Sequence, residues 1–491
     1  MTGQPLIYAD FPDPDVIRVG KKYYMITTTM HMFPGGDLLE SEDLVSWRLC
    51  SHVFEHPEGT PAQHLQDGTV YGQGMWAATL RYHKGVFHVI FVCNDTHKTY
   101  HFTAERAEGP WRQHDIEGFY HDCSLLFDDD DRVYLVSGNR EIQLTEMKPD
   151  LSAPMPGGVQ QVILRDEGAD VCPLGYEGAH FYKINGKYVL FFIHWPKAAP
   201  GRRTEACFVS DSITGPYTGG DISDDDMGFF NQGVAQGGIV DDPDGNLYMM
   251  LFQDRFACGR VPVLCSFDWV NGFPANIRVG IAACSEAEKK RLFPDDSLKN
   301  GAPAPMWQWN HMPDRSKIAF LKDGLQITAS PAKDAEHAVN SLTQRTYGPA
   351  CECRVTVDGS LLREGDRAGL TALQGCFSSL SLEKKESGYF LSLHSRDADG
   401  WKMRSDEPVR EVLTVPCKTD RVRLGARFSL DGPESSVQFG VIENGAFLPL
   451  GEAHRLVYRL DHFMGVRAAL HCYSTTGETG GEAVFSDFEW V

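Results

Sequence analysis

The sequence has no run of about 18 apolar residues, the minimum for a membrane-spanning helix, so no transmembrane helix is expected. Positive charge is scarce. The 46 lysines and arginines face 67 aspartates and glutamates, a formal net charge of −21. That balance disfavours nucleic acid and anionic membranes as partners. The N-terminal MTGQPLIYAD has no basic segment followed by an apolar run. No secretory leader is read there, and a cytoplasmic location is the expectation. None of the 13 cysteines forms a CxxC pair, and their spacing is irregular. Reduced thiols are expected rather than a disulfide framework. Cys351 and Cys353 fall on one face of an expected strand and read as core. Alternating helix and strand patterns are also missing, which argues against a βα barrel.

What is present points to β-structure in two domains. A chain of 491 residues is too long for one ordinary core, and 42% apolar content rules out global disorder. The 48 glycines and 27 prolines are spread along the chain, as many short strands joined by turns require. A repeat runs through the first 275 residues: DPDVIRVGKKYYMITT, WAATLRYHKGVFHVIFVC, DCSLLFDDDDRVYLVSG, EGAHFYKINGKYVLFFI and AQGGIVDDPDGNLYMMLF. Each pairs two short apolar strands across a polar turn, a hairpin pattern. The starts lie 63, 46, 55 and 58 residues apart. SEDLVSW, AERAEGPW, SDSITGPY and SFDWVNGF follow these hairpins and are read as outer strands. Units of this length are the blades of a β-propeller. The fold predicted is all-β. A five-bladed propeller over residues 1–275 and a linker over 276–305 precede a β-sandwich of jelly-roll type, with about nine strands, over 306–491.

In a propeller the first strand of every blade lines the channel. Asp13, Trp76, Asp122, Glu177 and Gln236 head the five blades, so three carboxylates are expected at one mouth. The prolines of Phe11-Pro12-Asp13-Pro14-Asp15 make a rigid turn that holds Asp13 at the axis. Two carboxyls across a sugar can cleave a glycosidic bond, one protonating the leaving oxygen and the other deprotonating water. A third nearby carboxylate favours the protonated acid through like-charge repulsion. Trp76 offers a flat apolar face for a sugar ring. The aspartates 128–131 read as a solvated hairpin tip rather than a calcium loop, for which the glycine and spacing are missing. Glu177 and His180 imitate a metal pair, but residues i and i+3 of a strand face opposite sides.

FPDPDVIRVGKKYYM, MWAATLRYHKGVF, HDCSLLFDDDDRVYLV and YEGAHFYKINGKYVL, in that order, resemble the blade-start motifs of glycoside hydrolase family 43. The resemblance covers residues 5 to about 275, and the C-terminal region is similar to the extra domain of larger exo-acting members. It implies a five-bladed propeller and an inverting hydrolase of terminal pentoses, α-L-arabinofuranosyl or β-D-xylosyl, on hemicellulose-derived saccharides. By position it implies that Asp13 is the general base, Asp122 the modulator of the acid, and Glu177 the general acid. Arg260 matches an arginine that contacts sugar and carboxylates, while Met30, Trp76 and His121 match pocket walls. Gln236 replaces a histidine that in some members anchors an axial metal, and an amide is the poorer ligand. No metal site and no required cofactor are therefore expected, calcium being admitted only as a structural ion. An endo-arabinanase, a non-catalytic carbohydrate-binding propeller and a retaining fructosidase are the alternatives. The last lacks its usual Asn-Asp-Pro-Asn turn here.

Overall fold

The computed structural model describes residues 3–168, 172–198, 201–397 and 407–491. Five four-stranded antiparallel sheets come first, each in sequential order, spanning Asp15–Phe54, Thr79–His114, Ser124–Arg165, Leu174–Ser223 and Val234–Arg278. They are the expected propeller blades. The inner strands, Asp15–Val19, Thr79–His83, Ser124–Phe127, Leu174–Ile184 and Val234–Asp241, touch in a closed ring.

Turn chemistry sets the hairpins. Lys84-Gly85, Asn185-Gly186, Asn271-Gly272 and Asn444-Gly445 each place two residues with φ between 48° and 87° between paired strand ends. Two positive φ values in succession define the type I′ turn, which matches strand twist. Three of the segments read as outer strands are instead turns joining third to fourth strands. Trp47 Nε1 donates to Leu44 O at 2.9 Å and the Tyr217 hydroxyl donates to Ile213 O at 3.0 Å, so these aromatics close their own turns.

Polar latches repeat between neighbouring inner strands. Asp15 Oδ2 accepts from Leu80 N (2.8 Å), Thr79 Oγ1 from Leu125 N (3.3 Å) and Ser124 Oγ from Phe181 N (2.9 Å). Asp15, Thr79, Ser124, His180 and Gly238 are thus equivalent positions. Arg81 fills the centre of this ring. Its Nη1 donates to Asp15 Oδ2, its Nη2 to Ser124 Oγ and its Nε to Leu125 O, each at 2.8 Å.

After the blades, Glu286–Leu292 forms a short helix. Ser285 and Glu288 cap it reciprocally, and its single buried residue, Leu292, enters the main core. The C-terminal domain is the expected sandwich of two sheets, antiparallel except where Ser330–Pro331 pairs in parallel with Arg467–Ser474, and Cys351 and Cys353 lie in its core. Sixteen of its strands lie among the described residues, more than alternation suggested, because edge strands of two to four residues carry no readable period. One sheet also recruits Met32–Phe33 from blade one, paired with Gln308–Asn310. The core between blades five and one, with Val16, Met25, Met250 and Leu264, is continuous with the sandwich interior. Asp128 departs from expectation too. It is buried and accepts from Lys183 Nζ (2.5 Å) and the Tyr188 hydroxyl (2.6 Å), which ties blade three to blade four.

Candidate active site

The three acids of the opening turn serve three different partners. Asp10 is buried, and its carboxylate accepts from Arg260 N (2.8 Å) and Gly465 N (2.9 Å). Asp15 faces the axis, where burial would raise its carboxyl but the Arg81 guanidinium, with His180, holds it down to about 2. Asp13 lies between them. The flanking prolines lack N–H groups yet still accept: Pro12 O from Thr28 N (3.0 Å), Pro14 O from Gly238 N (2.9 Å). The turn is pinned to blades one and five, and Asp13, at φ 51°, turns into a cavity of about 410 Å³.

All eight residues proposed from sequence line that cavity: Asp13, Met30, Trp76, His121, Asp122, Glu177, Gln236 and Arg260. Their register differs from the simple repeat. Counted from the latch positions, Asp13, Asp122 and Gln236 are equivalent, and the blade-four residue at that place is Gly178. Trp76 and Glu177 stand one residue earlier, level with His121. The position itself is left-handed in four blades, with φ of 51° at Asp13, 45° at Asp122, 63° at Gly178 and 58° at Gln236. A left-handed residue breaks the two-residue alternation of a strand, so successive side chains can face the same funnel. A Cβ on Gly178 would stand 2.5 Å from Gln236 Cδ, and glycine makes room for that amide.

Arg260 holds Asp13, with Nη1 donating to Asp13 Oδ1 at 2.6 Å. Burial opposes the guanidinium charge, but Asp13 together with Tyr458, Asp10 and Asp254 outweighs it and keeps the arginine protonated. Across the pocket, His121 Nε2 lies 3.7 Å from both Asp122 Oδ2 and Glu177 Oε2, and Asn139 donates to Glu177 Oε2. Burial, aided by the charges of Glu177 and Asp13, pushes the Asp122 carboxyl up to about 7 against the pull of His121. Asp122 in turn is the main cause that raises His121 to about 9. These neighbours hold their protons jointly. The carboxyl kept up by its surroundings is thus that of the expected modulator itself. His121, Asp122 and Glu177 also lie close enough to share a cation, with ligand atoms within 4.8 Å. The Arg81 guanidinium lies among the inner strands, donating to Asp15 Oδ2 and Ser124 Oγ.

Sequence reasoning missed several lining residues, among them Asn139, Leu460 and Phe463. Asn139 follows a strand with no motif to mark it. Leu460 and Phe463 reach the pocket from the sandwich. The Phe463 carbonyl accepts from Arg260 Nη2 (3.3 Å), its ring lies 4.3 Å from that guanidinium, and its centroid is 5.5 Å from that of Trp76. Trp47 is 2% exposed, in the core.

The model of the family "Glycosyl hydrolases family 43" matches residues 2–274, and that of the "Beta xylosidase C-terminal Concanavalin A-like domain" matches residues 296–491. The chain is 26% identical over 449 residues to a beta-xylosidase of Formosa agariphila, covering 78% of this chain and 75% of that one. It is 27% identical to a non-reducing end alpha-L-arabinofuranosidase of Bacteroides ovatus over 360 residues, 70% of this chain and 63% of that protein. Among solved structures, a bifunctional GH43-CE protein of Bacteroides eggerthii is 34% identical with a TM-score of 0.89, covering 100% of this chain and 63% of the larger protein. The chain belongs to glycosyl hydrolases family 43.

Proposed function

We propose that the protein is an exo-acting, inverting glycosidase that removes terminal pentoses, α-L-arabinofuranosyl first, from hemicellulose-derived saccharides. The observation that carries this reading is the convergence of Asp13, Asp122 and Glu177 on one cavity walled by Trp76, Leu460 and Phe463. A cavity of about 410 Å³ suits one terminal sugar rather than a chain passing through. In the proposed reaction Asp13 Oδ takes a proton from the attacking water, and Arg260 orients that carboxylate. Glu177, held by Asn139, gives its proton to the departing oxygen. Trp76 supplies the apolar face for the ring. No metal is assigned a part. Free cysteines throughout support a reducing, cytoplasmic setting.

β-D-Xylosyl release is the second reading, favoured by the match of residues 296–491 to a domain model named for beta xylosidases. Hydrolysis of aryl α-L-arabinofuranoside, aryl β-D-xyloside and linear arabinan, compared side by side, tests both. Single-sugar release with inverted anomeric configuration in early proton NMR spectra is expected. Internal oligosaccharides from arabinan, or retained configuration, would overturn the reading.

A further inference from the structure

Outside the carboxylate pocket, three potential ligands meet where blade three passes into blade four. Asp166 follows the last strand of blade three, Gln160–Arg165. Cys172 precedes the inner strand of blade four, Leu174–Ile184, and His194 lies near the end of its second strand, Lys187–Trp195. One ligand atom from each lies within 4.8 Å of the others. Asp166 Oδ2 and His194 Nε2 face one another at 3.7 Å, too far for a hydrogen bond. Both atoms are buried and neither has a hydrogen-bond partner among the described residues, on side chains only 5% and 8% exposed. Buried polar atoms are nearly always paired, so two orphans facing each other beside a thiol point to a missing ligand.

The surroundings orient this set. Asp166 Oδ1 accepts from Gly168 N at 2.9 Å, which turns Oδ2 inward. His194 Nδ1 contacts Asp221 Oδ1 at 2.9 Å and Oδ2 at 3.1 Å, so Nδ1–H donates to the carboxylate and the Nε2 lone pair points into the gap. A carboxylate behind a histidine is the usual support of a metal ligand. Zinc binds nitrogen and oxygen at about 2.0–2.1 Å and sulfur at about 2.3 Å, so a small contraction of the gap would seat the ion.

We propose that Asp166, Cys172 and His194 form a binding site for a divalent cation of the zinc type, with a fourth position left to water. One nitrogen, one thiolate and one carboxylate oxygen favour such an ion over calcium or magnesium, which take oxygen ligands. The site lies behind the pocket wall: Pro173 and Leu174 follow Cys172, and Ile193 and Trp195 flank His194, all four facing the cavity. A bound ion ties the blade three–four connection to the wall. The expected signal in the full-length protein, stripped of metal and kept reduced, is a thiolate-to-cobalt charge-transfer band that saturates at one equivalent of Co²⁺ and is displaced by one of Zn²⁺. Cys172→Ser should abolish the band, and both it and Asp166→Asn should weaken zinc binding about tenfold or more with an unchanged circular dichroism spectrum. The sulfur band separates this site from His121, Asp122 and Glu177, which offer no thiol. No band in the wild type, a band that survives Cys172→Ser, or zinc affinity unchanged in both variants would overturn the assignment, whatever the glycosidase rates.

Discussion

Asp122 and Glu177 occupy adjacent places in one proton-sharing cluster, yet they should fail differently when altered. Asp122 sits at about 7, raised first by burial, and is the main cause that holds His121 at about 9. Asp122→Asn removes a negative charge beside both His121 and the acid. The cluster should then lose its proton earlier, so the falling alkaline limb of the pH–rate profile moves to lower pH. An alkaline limb that stays in place would show that Asp122 does not govern that proton. Glu177→Ala should slow poor leaving groups by about 10²–10⁴-fold and aryl glycosides with good leaving groups far less, because only the former need protonation. Equal losses on both substrates would remove Glu177 from the acid role.

The inner-strand start of blade four is an element built around one glycine. Gly178 is left-handed at φ 63° and approaches Gln236 closely, whereas Gly186, left-handed at φ 78°, faces open space at a hairpin tip. Alanine at either place costs about 1–2 kcal/mol of backbone strain. Only Gly178→Ala also displaces Gln236 and the neighbouring Glu177. Both variants should lose stability in urea titrations, Gly178→Ala the more, and only Gly178→Ala should lose turnover. The reverse pattern would mean that the strand start does not aim Glu177.

Across the whole molecule, the propeller and sandwich share one core and one buried ion pair. Arg345 Nη2 meets Asp37 Oδ2 at 2.6 Å with both side chains 1% exposed, and Arg345 Nε donates to Asp10 O at 2.6 Å. The interface thus runs directly into the turn that carries Asp13. Arg345→Ala would strand a buried carboxylate and should cost about 3–5 kcal/mol, with both domains unfolding together. Burial would raise the Asp37 carboxyl, but Arg345 and His52 hold it below its ordinary 3.8. Its stabilisation is present above that value and is lost as pH falls. Burial opposes protonation of His52, yet the bond to Asp37 raises it above 6.5, so its contribution is full below 6.5 and fades as pH rises. Urea midpoints of the wild type should drop between about pH 5 and pH 3, and Asp37→Asn should flatten that drop. An unchanged slope in Asp37→Asn would place the acid sensitivity elsewhere.

Local pattern made the blades legible. Asn-Gly and Lys-Gly turns, alternating strands and a returning hairpin are encoded within about 50 residues each, and Asp13, Asp122 and Glu177 stood out because they recur at blade starts. The one-residue offset of Trp76 and Glu177 was not legible, because left-handed φ values and a bulge leave no mark in composition. Nor were Arg81 at the axis, Leu460 and Phe463 in the pocket, or the meeting of Asp166, Cys172 and His194. Sequence alone determined the class of fold and which residues stand at the blade starts, through short-range turn and strand preferences. Tertiary structure decided which residues close the pocket and which charges neutralise one another, since those contacts join positions hundreds of residues apart, and only packing brings them within a few ångströms.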